Sequence, residues 1–215
     1  MILYSHPFSS YCQKALIALY ENDTPHEARL LADEASMAEL AALWPLKKFP
    51  VLKDQDAVIP EATSIIEYLA VHHPGPVALI PAAPAAAVEV RMMDRVIDNY
   101  VSASQQRIIY NALRPEADRD PLIVEEARST LDRIYPWLDA QLQGRKWATD
   151  YGFSLADCAA GPALFYADWT HPIPAELTHL TAYRARLLAR PSFARAVDEA
   201  RPYWDYFPLG APDRD

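Results

Sequence analysis

The chain has 215 residues, 51 % of them hydrophobic and 23 % charged, which is room for one large or two small domains with a core that needs neither disulfides nor structural metal. A net charge of −9 repels nucleic acid and anionic membranes, so neither is expected as a bulk partner, although a local basic pocket for a small anion stays open. Two cysteines, Cys12 and Cys158, are too few for a disulfide framework and point to a reducing, cytoplasmic home.

The start, MILYSHPFSS, lacks the basic and then apolar pattern of a signal peptide, and no apolar run is long enough to span a bilayer. Glycine is scarce at 5 and proline abundant at 19. Neither G-x-G-x-x-G nor the P-loop pattern occurs, and G-x-S-x-G is absent too. Dinucleotide binding, P-loop chemistry and the commonest serine-hydrolase arrangement therefore lose their signatures.

Met1 to Tyr4 reads as an edge-to-core strand, punctuated by Pro7 and the Ser9-Ser10 pair. Tyr11 to Tyr20 carries helix formers and an apolar stripe, Ala15, Leu16, Ala18 and Leu19. A strand at His26 to Leu31 and a helix at Ser36 to Leu43 follow, the helix ending before Trp44-Pro45. Phe49 to Lys53 predicts a strand entered through a proline, and Ala57 to Ile59 another. Thr63 to Val71 is a patterned helix. The order is β-α-β-α-β-β-α. The Pro/Ala-rich stretch from Pro74 to Ala87 marks a boundary, giving domains at 1–76 and 88–215 joined by a linker at 77–87. Beyond it, helices are expected at Val88–Leu113, Pro121–Leu142, Ser154–Trp169, Glu176–Leu188 and Ser192–Ala200. A mixed α/β half followed by an all-α half makes a two-domain chain.

Three segments carry chemistry. In Phe8-Ser9-Ser10-Tyr11-Cys12 a strand feeds a helix whose N-terminus exposes unpaired amides and a partial positive charge, which favours a thiolate or other anion. A serine there either caps the helix or donates to a bound thiolate, and the local sequence leaves both open. Pro50 at a strand entry is unusual because proline cannot donate to the ladder, and one explanation is a cis bond at a tight corner. Lys47 and Lys48 beside it could bind a carboxylate. In Pro60-Glu61-Ala62-Thr63-Ser64 an acid and small hydroxyl residues open a helix, where free amides could hold a carboxylate and Glu61 an ammonium group. Glu61 could equally do no more than complement the helix dipole. His72-His73 makes no metal site, since adjacent helical residues diverge and no further ligands join them.

Taken together and in this order, the segments resemble the glutathione transferase family. LYSHPFSSYCQKALIALYEND is similar to its first strand and helix, KKFPVLKD to its cis-proline strand, and EATSIIEYL to its γ-glutamyl-binding turn. FSLAD resembles the family's F-S-x-A-D helix start, whose physical content is a capping box, and RPSFARAV its final helix. The resemblance spans nearly the whole chain. It implies a thioredoxin-like N-terminal α/β domain, an all-α C-terminal domain, and a cytosolic, bacterial-type homodimer with serine at the thiol-stabilising position.

It also implies site residues. Ser9 falls where serine-type members place the hydroxyl and where omega- and beta-like members place a cysteine. Ser10 is the runner-up. Ser9 and Cys12 match the two cysteines of a glutaredoxin C-P-Y-C, and a serine at the first position disfavours disulfide exchange. Tyr4, poorly offset from Pro7, is the heir to a tyrosine-type mechanism. For glutathione, the resemblance implies Phe8, Lys48, Phe49, Pro50, Val51, Glu61, Ala62 and Thr63. Lys48 would meet the glycyl carboxylate, the Val51 backbone the cysteinyl unit and Glu61 the γ-glutamyl end. Ala62 departs from the family's usual Ser or Thr; the lost bond to a charged group is worth roughly 1.5–3 kcal/mol, with Thr63 a possible substitute.

For the electrophile, analogy names Phe8 together with Met92, Met93, Tyr100, Arg107 and Tyr110 on the first long helix of the second half, and Tyr166 and Trp169 on a later one. The function implied is attack of the glutathione thiolate on a small apolar electrophile. The alternatives are a non-catalytic binding or regulatory protein of the same fold, or a glutathione-dependent reductase or isomerase, with reduction running through Cys12.

Overall fold

The computed structural model describes residues 1–213. Strand β1 (Ile2–Ser5), helix α1 (Ser10–Glu21), β2 (Glu27–Leu30), α2 (Glu34–Leu43), β3 (Val51–Asp54), β4 (Ala57–Pro60) and α3 (Ala62–His72) form the first half. The sheet order is β2-β1-β3-β4, with β1 parallel to β2 and the other pairings antiparallel. This is the expected thioredoxin-like arrangement. The predicted edge role of β1 is corrected: it lies inside the sheet, and β2 and β4 are the edges.

Side-chain alternation divides the core of this half in two. Leu3 and Leu52 pack with Leu16, Leu19, Ile65 and Leu69 of α1 and α3, whereas their neighbours Tyr4 and Val51 pack with Leu40 of α2 on the opposite face. Capping sets the start of α2, where Asp33 Oδ1 accepts the Ser36 amide at 2.8 Å.

The second half is helical: α4 (Pro84–Val96), α5 (Ala103–Ala112), α6 (Pro121–Gln141), α7 (Leu155–Thr170), α8 (Thr178–Leu188) and α9 (Pro191–Ala200). A π-helical segment, Ile97–Ser102, joins α4 to α5, so the single predicted run of Val88–Leu113 is continuous but changes its winding in the middle. Helix α4 begins inside the predicted linker because Pro84 at the first turn gives up an amide that would be unpaired there anyway.

Helix α7 is buried along its whole length and forms the axis of this half. Asp157 anchors its start, accepting from Ser154 N (2.9 Å), Ser154 Oγ (3.0 Å), Ala148 N (2.8 Å) and the Tyr183 hydroxyl (2.7 Å). The capping box expected from FSLAD is present. The largest core cluster runs through both halves, joining Ile17 and Ile66 to Met93, Ile97 and the α7 side chains. Among the described residues no helix is long and apolar enough to cross a membrane.

Candidate functional site

The loop between β1 and α1 places Ser9 at the N-cap of α1, in extended backbone, with its Oγ accepting the Cys12 amide at 3.3 Å. The capping role is therefore real. It uses only the oxygen's acceptor capacity and leaves the hydroxyl proton available to a second partner. Ser10 is buried and its Oγ accepts from Gln106 Nε2 at 3.2 Å. Cys12 is fully buried, its sulfur accepting the His6 amide at 3.4 Å, and burial pushes its thiol up to about 12. At neutral pH it is a protonated thiol without solvent access. Tyr4 sits in the α2-side core, where its hydroxyl donates to Glu39 at 3.3 Å, and it borders neither cavity described below.

Two cavities meet at this loop and share the walls Tyr11, Lys48, Phe49 and Ala103. The smaller, about 280 Å³, extends past Pro50 to Glu61, Ala62, Arg95 and Asp98. The Phe49–Pro50 bond is cis. Glu61 precedes α3 with a φ of 70°, in the left-handed region, and its side chain makes no capping bond to the helix. Val51, the first residue of β3, is buried between Tyr4 and Pro60 in the sheet and borders neither cavity.

Thr63 does not border this cavity. Its Oγ1 accepts from Lys14 Nζ at 2.8 Å, donates to Asp94 Oδ2 at 3.1 Å and contacts Arg95. The hydroxyl expected to replace the one missing at Ala62 is thus committed to an ionic cluster. Lys14 Nζ also lies 2.6 Å from Asp94 and 2.7 Å from Asp98. Burial raises the carboxyl of Asp98, and Lys14 opposes that rise.

The larger cavity, about 700 Å³, opens between the Ser9 loop and α5. Phe8 borders it and meets Tyr166 edge-on at 5.7 Å, and the Tyr166 hydroxyl accepts from Gln13 Nε2 at 3.1 Å. Of the residues proposed for a second substrate, Arg107, Tyr110 and Tyr166 line this cavity. Met93 and Trp169 are corrected: both lie in the core. Val90, Met93, Ile97 and Val101 form the buried stripe of α4 and its continuation, following helical spacing. Met92 and Tyr100 fall outside that stripe and are exposed, Tyr100 in a separate groove with Val96, Ile134 and Trp137.

Sequence reasoning missed His6, Gln106, Ile109, Leu113 and the tail segment Tyr206-Phe207-Pro208, all of which border the larger cavity. The aromatic run from Tyr203 to Phe207 was the available signal, but nothing in it says where the tail returns. His73 pairs with Asp54 at 2.6 Å, and the His72 ring lies against Tyr68 with centroids 4.3 Å apart and the planes tilted by 31°.

Residues 3–77 match the N-terminal domain model of glutathione S-transferases and residues 103–191 match the C-terminal one, together most of the chain. The structure is similar to that of a glutathione S-transferase from Methylobacillus flagellatus KT crystallised with glutathione bound, at 28 % identity and a TM-score of 0.80 over 91 % of this chain and 98 % of the other. It is similar to a second, from Methylobacterium radiotolerans in complex with glutathione sulfonate, at 28 % identity and a TM-score of 0.79 over 91 % and 93 %. Among curated proteins it is 26 % identical to glutathione S-transferase GstB of Escherichia coli K12, over 88 % of this chain and 93 % of that one. It is 25 % identical to a stringent starvation protein A homolog of Coxiella burnetii, over 93 % and 92 %. A mixed α/β half carrying a helix-capping serine and a cis-proline strand, docked on an all-α half, defines the class of the protein. The chain belongs to the glutathione S-transferase family.

Proposed function

We propose that this chain is a glutathione-dependent transferase in which Ser9 stabilises the glutathione thiolate for attack on a small, largely apolar electrophile. One observation carries the reading: the two cavities are contiguous, the smaller ending at Glu61 and the α3 N-terminus, the larger containing Ser9. That division suits a γ-glutamyl peptide lying along the first and presenting its sulfur to the second. Glu61 and the first amides of α3 supply opposite charges for an ammonium and a carboxylate. Lys48, on the wall shared by the two cavities, suits the glycyl carboxylate; Val51 borders neither cavity, and Phe49 and Pro50 stand at that point of the wall instead. Ser9, its oxygen already fixed by the Cys12 amide, has a proton to donate to sulfur, which lowers the cost of ionising a thiol of ordinary pKa about 8.5. The protein supplies proximity and that hydrogen bond. A cytoplasmic homodimer is the accompanying proposal for its assembly and location.

A second reading, a ligand-binding or regulatory protein without turnover, is favoured by Ala62 and by the engagement of Thr63 with Lys14 and Asp94. The resemblance to stringent starvation protein A homologs is compatible with it. Reduction through Cys12 is disfavoured by the burial of that thiol. Calorimetric titration with reduced glutathione near neutral pH tests the first reading, which expects binding at or below millimolar. Binding without turnover across a panel of electrophiles supports the second reading, and no binding sinks the first.

A further inference from the structure

The larger cavity has a charge composition opposite to that of the protein. The chain contains 29 acidic residues against 20 basic ones, yet no aspartate or glutamate borders this cavity among the described residues, while Lys47, Lys48 and Arg107 all do. Lys47 and Lys48 form no ion pair among the described residues. Lys47 is held with φ at 53°, a left-handed conformation unusual for a residue with a side chain. Arg107, on α5, borders the same cavity and pairs with Glu126 at 2.6 Å. Both of those side chains are exposed, so the pair is weak and open to exchange. Apolar side chains, Phe8, Ile109, Leu113 and Phe207, border the same cavity.

Resting on the proposed transferase reading, we propose that the electrophile is an anion: an apolar unsaturated carbonyl compound that carries a carboxylate, recognised by Lys47 and Arg107. Glutathione itself brings one glycyl carboxylate, which Lys48 accommodates; the two remaining cations, one on the loop before β3 and one on α5, border the cavity left for the second substrate. In an overall negative protein such a basic pocket also raises the local concentration of an anionic substrate. The reaction is an addition. The glutathione sulfur bonds to the β-carbon, the carbon–carbon double bond opens, the thiol proton ends on the α-carbon, and nothing leaves.

The test compares 4-phenyl-3-buten-2-one with its para-carboxylate at saturating glutathione, each rate divided by its uncatalysed rate with glutathione alone. The expected result is a kcat/KM preference for the carboxylate of about fivefold or more, which shrinks as salt rises and falls toward one in Lys47→Gln and Arg107→Gln. A wild-type ratio at or below one overturns the proposal. So does a ratio that the two variants leave unchanged while the KM for glutathione rises, because the cations then serve glutathione. If neither probe is consumed, the transferase reading has failed separately, and calorimetry on the two preformed glutathione conjugates decides the remainder. Tighter binding of the carboxylate conjugate, lost in Arg107→Gln, supports the anion site, and equal affinities reject it.

Discussion

The Lys14 ammonium lies 2.6 Å from the Asp94 carboxylate, with 1 % and 0 % of the two side chains exposed. Lys14 stands on α1, the helix that Ser9 caps, and Asp94 on α4 of the helical half, so one buried ion pair ties the thiol loop to the second domain. Thr63 of α3, Arg95 of α4 and Asp98 of the π-helical segment complete the cluster. Because Asp98 also borders the smaller cavity, the cluster is continuous with the candidate ligand site.

Removing Asp94 takes away one of the two carboxylates that hold the buried Lys14 ammonium and leaves Asp98 as the other. Asp94→Ala is expected to cost roughly 1.5–3 kcal/mol, the worth of a hydrogen bond to a charged group, read as a lower urea midpoint at unchanged slope. The double variant Lys14→Met with Asp94→Leu should lose less than Lys14→Met alone, because Asp98 then keeps Arg95 as its cation with no second carboxylate beside it. A loss below about 1 kcal/mol for Asp94→Ala would contradict a buried, structurally coupled pair.

Ser9→Ala separates the two duties of the N-cap. Loss of the bond from the Cys12 amide is expected to cost about 1 kcal/mol of stability. Loss of a hydrogen bond to a thiolate, worth roughly 1.5–3 kcal/mol, should lower turnover of a conjugation substrate by about ten- to a hundredfold. Stopped-flow absorbance of the bound thiolate should show its pKa rising in the variant. Turnover equal to wild type would remove Ser9 from the mechanism.

Stability should fall at alkaline pH. Burial pushes Cys12 and Tyr11 each up to about 12, above the values of the unfolded chain. The unfolded state therefore loses these protons first and is favoured as pH rises. The native advantage is full below about pH 8.5 and declines from there toward pH 12, by about 1.4 kcal/mol per pH unit for each group titrating. Denaturant midpoints from pH 7 to 10.5 check the direction. In the same window neither cysteine should react with an aromatic disulfide reagent until the protein is unfolded, because both are buried.

Glu61 and Ala62 allow backbone and side-chain contributions to be told apart. Glu61→Gly removes a side chain from a φ of 70° and is expected to leave stability unchanged or raise it by about 1 kcal/mol, while glutathione affinity drops about tenfold. Ala62→Ser restores a hydroxyl at the mouth of α3 and should strengthen binding roughly ten- to a hundredfold. Calorimetry on both variants measures the two effects. An Ala62→Ser protein that binds no better than wild type would show that the family hydroxyl is not what limits affinity.

Much of the fold was legible because local rules set it. Alternation sent Leu3 and Tyr4 to opposite faces of the sheet and FSLAD announced its capping box, whereas the Asp33 cap and Pro84 start their helices ahead of the expected Ser36 and Val88. The segments around Ser9, Lys48 and Glu61 could be singled out for the same reason, since a helix start and a strand entered through proline are local events. Met93 and Trp169 were misplaced because an apolar residue on a helix does not say which neighbour it will face. In Val90, Met93 and Ile97 the face is set by docking against α7.

The amino-acid sequence by itself determined the two-part architecture, the order of the elements and the points where their ends expose hydrogen-bonding groups, because each depends on a few adjacent residues. Only the tertiary structure decided how distant residues combine. It committed Thr63 to Lys14 and Asp94 across 49 and 31 positions, brought Tyr206 to Pro208 back to the cavity of the Ser9 loop, and set Lys47 and Arg107 on the lining of that one cavity, where no carboxylate joins them among the described residues. Those relationships arise from packing one domain on the other, and packing is a property of whole surfaces that no single stretch of sequence contains.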